Sequence, residues 1–321
     1  MSHCFVYGFI LDRQSNAQPL TSDQICHWHT GDGLLWVHLD YTNRDAQEWV
    51  NNSNLPDNAK SLLLARRTHT GAHRTRDGLL LSLRAINLKA SPKEDDMTSV
   101  RGYFTPHSIV TVSNQTIAAV SSIAKHIQEG FGPQTTGSFI IALCDRLANH
   151  KITLIDLLDD SVTDLEDRVL TEHDPALHND IAVIRRQAVY IRRYVAPQRD
   201  ALIKLMTTET PLLSLTDRQK LHDIKDKLTH VINDLDAIRE RANVTQEELM
   251  ILQSDALNQR VYLLSLFTTI FLPLSFLTGL LGVNLAGIPG SQDERAFFIF
   301  CAVLFLLFLL QLLFFYRRKW L

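Results

Sequence analysis

Between Arg260 and Asp293 the chain carries no charged side chain. The stretch Val261–Asn284 reads VYLLSLFTTIFLPLSFLTGLLGVN, and its first part, Val261–Leu281, runs for 21 residues. A helix needs about 20 apolar residues to cross a bilayer core. A second uncharged run, AFFIFCAVLFLLFLLQLLFFY at 296–316, follows and is closed by Arg317, Arg318 and Lys319. Two such runs predict a membrane hairpin, with spans over 261–281 and 296–316 and a short loop, 282–295, between them.

The two spans differ in kind. The second is apolar all round, as a helix facing lipid should be. The first, stepped by three or four residues, gives Ser254, Asn258, Val261, Ser265, Thr268, Leu272, Ser275, Gly279 and Gly282. Its other face carries Leu263, Leu266, Phe267, Ile270, Phe271, Leu274, Leu277 and Leu281. A small and hydroxyl-bearing stripe on a spanning helix either packs closely on another helix or faces water. The second option requires several copies in a ring, because one helix encloses nothing. Pro273 lies in the same span and is expected to kink it or to free the Thr269 carbonyl.

The hairpin takes roughly the last 65 residues and leaves about 255, enough for a sizeable core. Net charge is −3 over the 321 residues. From residue 257 onward, Arg260, Arg295, Arg317, Arg318 and Lys319 outweigh Asp293 and Glu294, so the remainder is mildly acidic. That balance argues against nucleic acid as a partner and tolerates bound cations. The apolar piece Phe5–Leu11 is too short for a signal peptide and lacks a basic flank. Arg260 and the basic tail predict both termini on the cytoplasmic side of the cell inner membrane. Cys4, Cys26, Cys144 and Cys301 form no CxxC pair and read as free thiols.

The fold expected is an α+β cytoplasmic domain, a sheet with a helical bundle, then a long stalk helix and the two spans. Residues 1–135 read as the α/β part, with strands at 3–11, 34–39, 79–88, 99–105 and 108–113 and helices at 42–51 and 58–66. Residues 136–256 read as a helical hairpin and stalk, and 257–321 as the transmembrane part. Helices are expected over 138–170 and 175–206, the latter interrupted at Pro197. From Ser214, with Asp217 completing a capping box, no proline occurs before Pro273 and no glycine before Gly279. Leu221, Ile224, Leu228, Val231, Leu235, Ile238, Ala242, Leu249, Leu252 and Ala256 form a heptad seam with Thr245 as its polar member. The seam fits an intramolecular bundle and packing between copies equally well. At 1.5 Å per residue, a helix of about 65 residues is a rod on the order of 100 Å.

Several side chains qualify as metal ligands by type. Cys26, His27 and His29 lie in CHWH, where a strand would point both His one way, with His3, Cys4 and His38 as further candidates. His69 and His73 flank Gly71, which argues for a turn. Asp95–Asp96 and Asp159–Asp160 are acidic pairs, and Glu247 continues the stripe of Asn258. No P-loop, GxGxxG, HExxH or GxSxG occurs, so no enzyme class and no resident cofactor is indicated.

The outer end of the first span, PLSFLTGLLGVN with Gly282-Val283-Asn284, resembles the CorA family of divalent-cation transporters, whose mark there is Gly-Met-Asn. Val283 in the middle, with INLKASPKEDDMTSVRGYF at 86–104, looks like the zinc-transporting, ZntB-like branch. WVHLDYTNRD at 36–45 is similar to the family's opening strand. The resemblance spans the whole chain and implies a homopentameric funnel in the lipid bilayer, moving Zn2+ or another divalent ion. It implies a filter of Gly282, Val283 and Asn284, and a pore lined by Asn258, Val261, Ser265, Thr268, Leu272, Ser275 and Gly279. Asp293 and Glu294 would stand at the outer mouth. Asn284 offers a carboxamide oxygen to the waters of a hydrated ion, whereas Val283 offers only bulk. Magnesium, cobalt or nickel transport by the same fold, and a membrane-anchored signalling or scaffold protein, are the competing readings.

Overall fold

The computed structural model describes residues 5–11, 19–86, 97–172, 174–282 and 295–318. The chain divides into two compact units, Met1–Gln246 and Glu247–Leu321.

The first unit is built on a sheet of β1 (Phe5–Leu11), β2 (Leu34–Asp40), β3 (Gly71–Arg74), β4 (Leu79–Ile86), β5 (Met97–Phe104) and β6 (Ser108–Ser113). Their order is β1-β2-β6-β5-β4-β3. β2 and β6 run parallel, with Val37 opposite Val110, and the other pairings are antiparallel. Side chains alternate across a strand, so β2 sends Val37 and Leu39 one way and Trp36 and His38 the other. The first set meets α2 (Arg44–Asn52) and α3 (Asp57–Leu64), where Ala46, Val50, Ala59 and Leu63 join Val110 and Val112 in one core. On the opposite face the Trp36 ring lies 5.7 Å from Phe9 and 4.9 Å from Phe139 of α5 (Thr136–Glu172). With both faces covered, β4 reads LLLSLRAI rather than alternating, and all of it but Arg84 is buried. Arg101 of β5, 1% exposed, donates to the carbonyls of Leu62, Leu63 and Ala65 and so closes the end of α3.

The expected strands are present. The structure adds three elements to those the sequence predicts: β3, α1 (Ser22–Cys26) and α4 (Ala118–Gln128). CHWH is not a strand. Thr21 and Gln24 make a capping box that starts α1, so Cys26 ends that helix and His27 caps it. Pro197 does not interrupt α6 (Leu177–Thr207), which runs through it. Pro197 is exposed, while Ile191, Val195, Ala201 and Leu202 around it are buried. Packing of that face outweighs the local cost of about 3 kcal/mol.

α7 runs unbroken from Leu215 to Leu281. Ser214 and Asp217 cap its start reciprocally at 3.0 and 3.1 Å. Its heptad seam from Leu221 to Thr245 is at most 3% exposed, so the seam closes within the chain. Lys227 reaches Asp145 of α5 at 2.7 Å, Arg241 reaches Asp159 and Glu166 at 2.6 Å, and Arg192 of α6 reaches Asp236 at 2.8 Å. These pairs set the register of a three-helix bundle more than its stability. The second unit contains the remainder of α7 and α8 (Ala296–Arg317), both apolar and long enough to cross a membrane.

Candidate ion-conduction face

From Val261 to Leu280 the covered positions of α7 are Leu266, Ile270, Pro273, Leu274 and Leu277, with Ile270 most buried. On α8 they are Ala296, Phe300, Leu304, Leu307, Phe308, Gln311, Leu312 and Phe315. Both rows follow helical spacing. Each span thus keeps one less exposed row along its length. Asn258, Val261, Ser265, Thr268, Leu272, Ser275, Gly279 and Gly282 are all exposed. At about 100° per residue, Val261 and Gly279 fall directly opposite Ile270. The small and polar stripe therefore lies opposite the covered row of α7, and no described residue packs closely on it.

The stripe has a defined chemistry. Thr268 donates its hydroxyl proton to the Leu264 carbonyl at 2.8 Å. With its proton engaged, its oxygen presents lone pairs outward and acts as an acceptor. Thr269 binds Ser265 O in the same way at 2.7 Å. α7 continues through Pro273, which supplies no N–H to the Thr269 carbonyl. A Cβ at Gly279 would meet nothing within 4 Å, whereas one at Gly282 would lie 2.8 Å from Thr278 O. Gly279 therefore leaves open space on the stripe, and Gly282 permits the tight end of the helix. Val283, Asn284, Asp293 and Glu294 lie outside the described residues.

The remaining sequence candidates are dispersed. Cys26, His27 and His29 are exposed, His27 Nδ1 lies 2.7 Å from Asp23 O, and His29 N–H donates to Asp32. His38 is buried between Thr111 Oγ1 at 2.9 Å and Ser113 Oγ at 3.1 Å, and burial pushes it down to about 4. It is a neutral hydrogen-bonding group at pH 7. His73 stands on β3 beside Lys204. Asp159 is held by Arg241, while Asp160 and Glu247 are exposed. His3, Cys4, Asp95 and Asp96 lie outside the described residues, among which no three His, Cys, Asp or Glu gather to hold a metal. Two buried polar side chains, Lys151 of α5 and Gln198 of α6, gave no sequence signal. A single lysine or glutamine in an amphipathic helix reads as part of a solvated face.

A family model described as CorA-like Mg2+ transporter protein matches residues 31–318. The chain belongs to this family. The CorA-like chain is 33% identical over 317 residues to the zinc transport protein ZntB of Yersinia enterocolitica, covering 98% of this chain and 96% of that one. Among solved structures it matches the full-length CmaX protein with a TM-score of 0.84 and 28% identity, over 100% of this chain and 99% of the other. It also matches the complete CorA magnesium transporter of Methanocaldococcus jannaschii with a TM-score of 0.84 over 98% and 99% of the two chains. At 19% identity that likeness concerns the fold alone. The resemblance carried by Gly282-Val283-Asn284 thus extends to the CorA-like architecture: a sheet domain, a long helix and an apolar C-terminal helix. Named CorA-like members are transporters, not enzymes.

Proposed function

We propose that the protein transports divalent cations, zinc foremost, through a pore closed by five copies around the open stripe of α7. The observation that carries this reading is the stripe itself. Its oxygen-bearing and small side chains are uncovered, and they lie opposite the covered row of α7. A ring with α7 inside and α8 outside gives every such residue water and every apolar one lipid or protein. Neutral hydroxyl and carboxamide oxygens hold a hydrated cation through its waters, without the high cost of stripping them. Asn258 and Ser265 to Ser275 line the path, Gly282, Val283 and Asn284 form the filter, and Asp293 and Glu294 gather cations at the mouth. Zinc rests on the curated relatives, named zinc transport protein along nearly the whole chain. Both termini lie in the cytoplasm, by the basic residues at the inner ends of the spans.

The test is zinc entry into proteoliposomes loaded with a zinc-sensitive dye, with magnesium and Asn284→Ala run alongside and the assembly sized by native mass spectrometry. Zinc entry that falls at least about tenfold in the variant, from an intact pentamer, is the expected result. Normal flux through Asn284→Ala removes the filter. Magnesium flux without zinc flux changes the cargo. A dimer that conducts nothing makes the spans an anchor.

A further inference from the structure

The contact between α5 and the sheet holds a lysine away from water. Lys151 is 1% exposed. Its Nζ donates to Leu147 O, one turn back, at 3.1 Å and to Arg84 O on β4 at 2.9 Å. β3 pairs with β4 only between Leu79 and Ser82. Past that point the strand edge needs other partners, and the helices supply them. The Arg84 N–H donates to Gln198 Oε1 of α6 at 3.2 Å, and the Arg84 carbonyl takes Lys151.

Other groups that face this seam do not neutralise an ammonium. From α5 come the Cys144 thiol and His150. Burial raises the thiol to about 12, so it stays uncharged, and burial and Lys151 both lower His150. From β4 comes Arg84, whose guanidinium turns to Thr68 O at 2.7 Å and to the Tyr194 ring at 5.5 Å. From α6 come Tyr194 and the neutral Gln198. The two carbonyls match the two N–H groups of a neutral amine. An ammonium has a third, and its charge lies in a seam without a carboxylate among these neighbours.

We propose that Lys151 is a proton-operated latch between α5 and the open edge of β4. Neutral, it closes the edge with two matched hydrogen bonds. Protonated, it places an unpaired charge in the seam and loosens α5 from the sheet. Burial lowers Lys151 from 10.5 to about 7, which puts the change near neutral pH. A base whose folded pKa is lowered binds its proton more weakly in the folded unit. Stability therefore rises with pH from about 7 upward. Cys144, raised from 9.0 to about 12, works the other way only above about pH 9. The window between about pH 7 and 9 thus belongs to the lysine.

The experiment is hydrogen exchange of the full-length protein in nanodiscs at about pH 6 and about pH 8.5, corrected for intrinsic rates. The wild type is expected to lose about tenfold in protection at Arg84 and along 144–151 at the acid pH. Lys151→Met is expected to abolish the response, and His150→Gln to keep it. A response that survives in Lys151→Met, or vanishes in His150→Gln, assigns it to another group. Equal wild-type protection at both pH values overturns the latch, whether or not a variant folds.

Discussion

From Leu221 to Thr245, α7 hides one seam and shows water the rest. From Val261 to Leu280, Ile270 is the one buried side chain among the described residues, at 8% exposure. Leu264, Phe267, Leu272 and Phe276 are each more than half exposed. The same backbone obeys two rules because its surroundings differ. In water an exposed leucine costs free energy, so apolar spacing reports what is buried. In lipid an exposed leucine costs nothing, so apolar spacing reports little, and the exceptions become informative. Ser265, Thr268 and Gly279 are the residues that a lipid-facing helix has no reason to carry.

The largest expected effect separates the two environments by stability. Leu228 is fully buried, and Leu228→Ala should cost about 3 kcal/mol in denaturant unfolding of the first unit. Leu306 of α8 is 59% exposed, and Leu306→Ala should change thermal stability in detergent by less than about 0.5 kcal/mol. Similar costs at both positions would mean that the spans are packed as tightly as the bundle. The next effect separates them by function. Thr268→Leu fills the open stripe with an apolar side chain and removes an acceptor. Zinc flux should fall about tenfold or more, with unfolding of the first unit unchanged. Unaltered flux would return the stripe to simple helix packing.

What was legible in the sequence follows the same division. The β-branched strands, the seam and the spans are repeated patterns set by burial in water or by immersion in lipid. α1 and β3 are short, and β3 takes its form from β4, a partner that follows it in the chain, while α4 starts after Ile117 with no capping side chain to announce it. At Pro197 the local penalty is legible in the sequence, whereas the buried face of α6 that offsets it is not. CHWH is no strand because the capping box at Thr21 and Gln24 starts a helix just upstream. The stripe was legible from its spacing, but its use was not, since small side chains suit close packing and water equally well. The burial of Lys151 depends on where β3 stops relative to α5, a relation that no local pattern records.

A smaller effect tests the rim of the bundle. Arg241 binds Asp159 and Glu166, and each partner is about one-third to one-half exposed. Exposed pairs of this kind contribute about 1 kcal/mol or less. Arg241→Met should cost about that much at low salt, and less in high salt as the charges are screened. A cost of several kcal/mol, indifferent to salt, would show that the rim rather than the seam holds α7 in place.

The smallest effect lies inside the seam. Thr245 is 3% exposed, and its hydroxyl donates to Arg241 O, one turn back in its own helix, at 2.8 Å. That carbonyl already accepts the helical N–H, so the side-chain bond satisfies the hydroxyl rather than the helix. Thr245→Val keeps the β-branched shape and replaces the hydroxyl with a methyl group. Unfolding should change by no more than about 0.5 kcal/mol in either direction. Retained stability would show that the seam needs shape and apolar bulk at this level, as burial in water requires. A loss above about 1.5 kcal/mol would mean that the Thr245 hydroxyl itself supports the bundle, and that polar side chains hold the water-facing half of α7 as well as marking its membrane half.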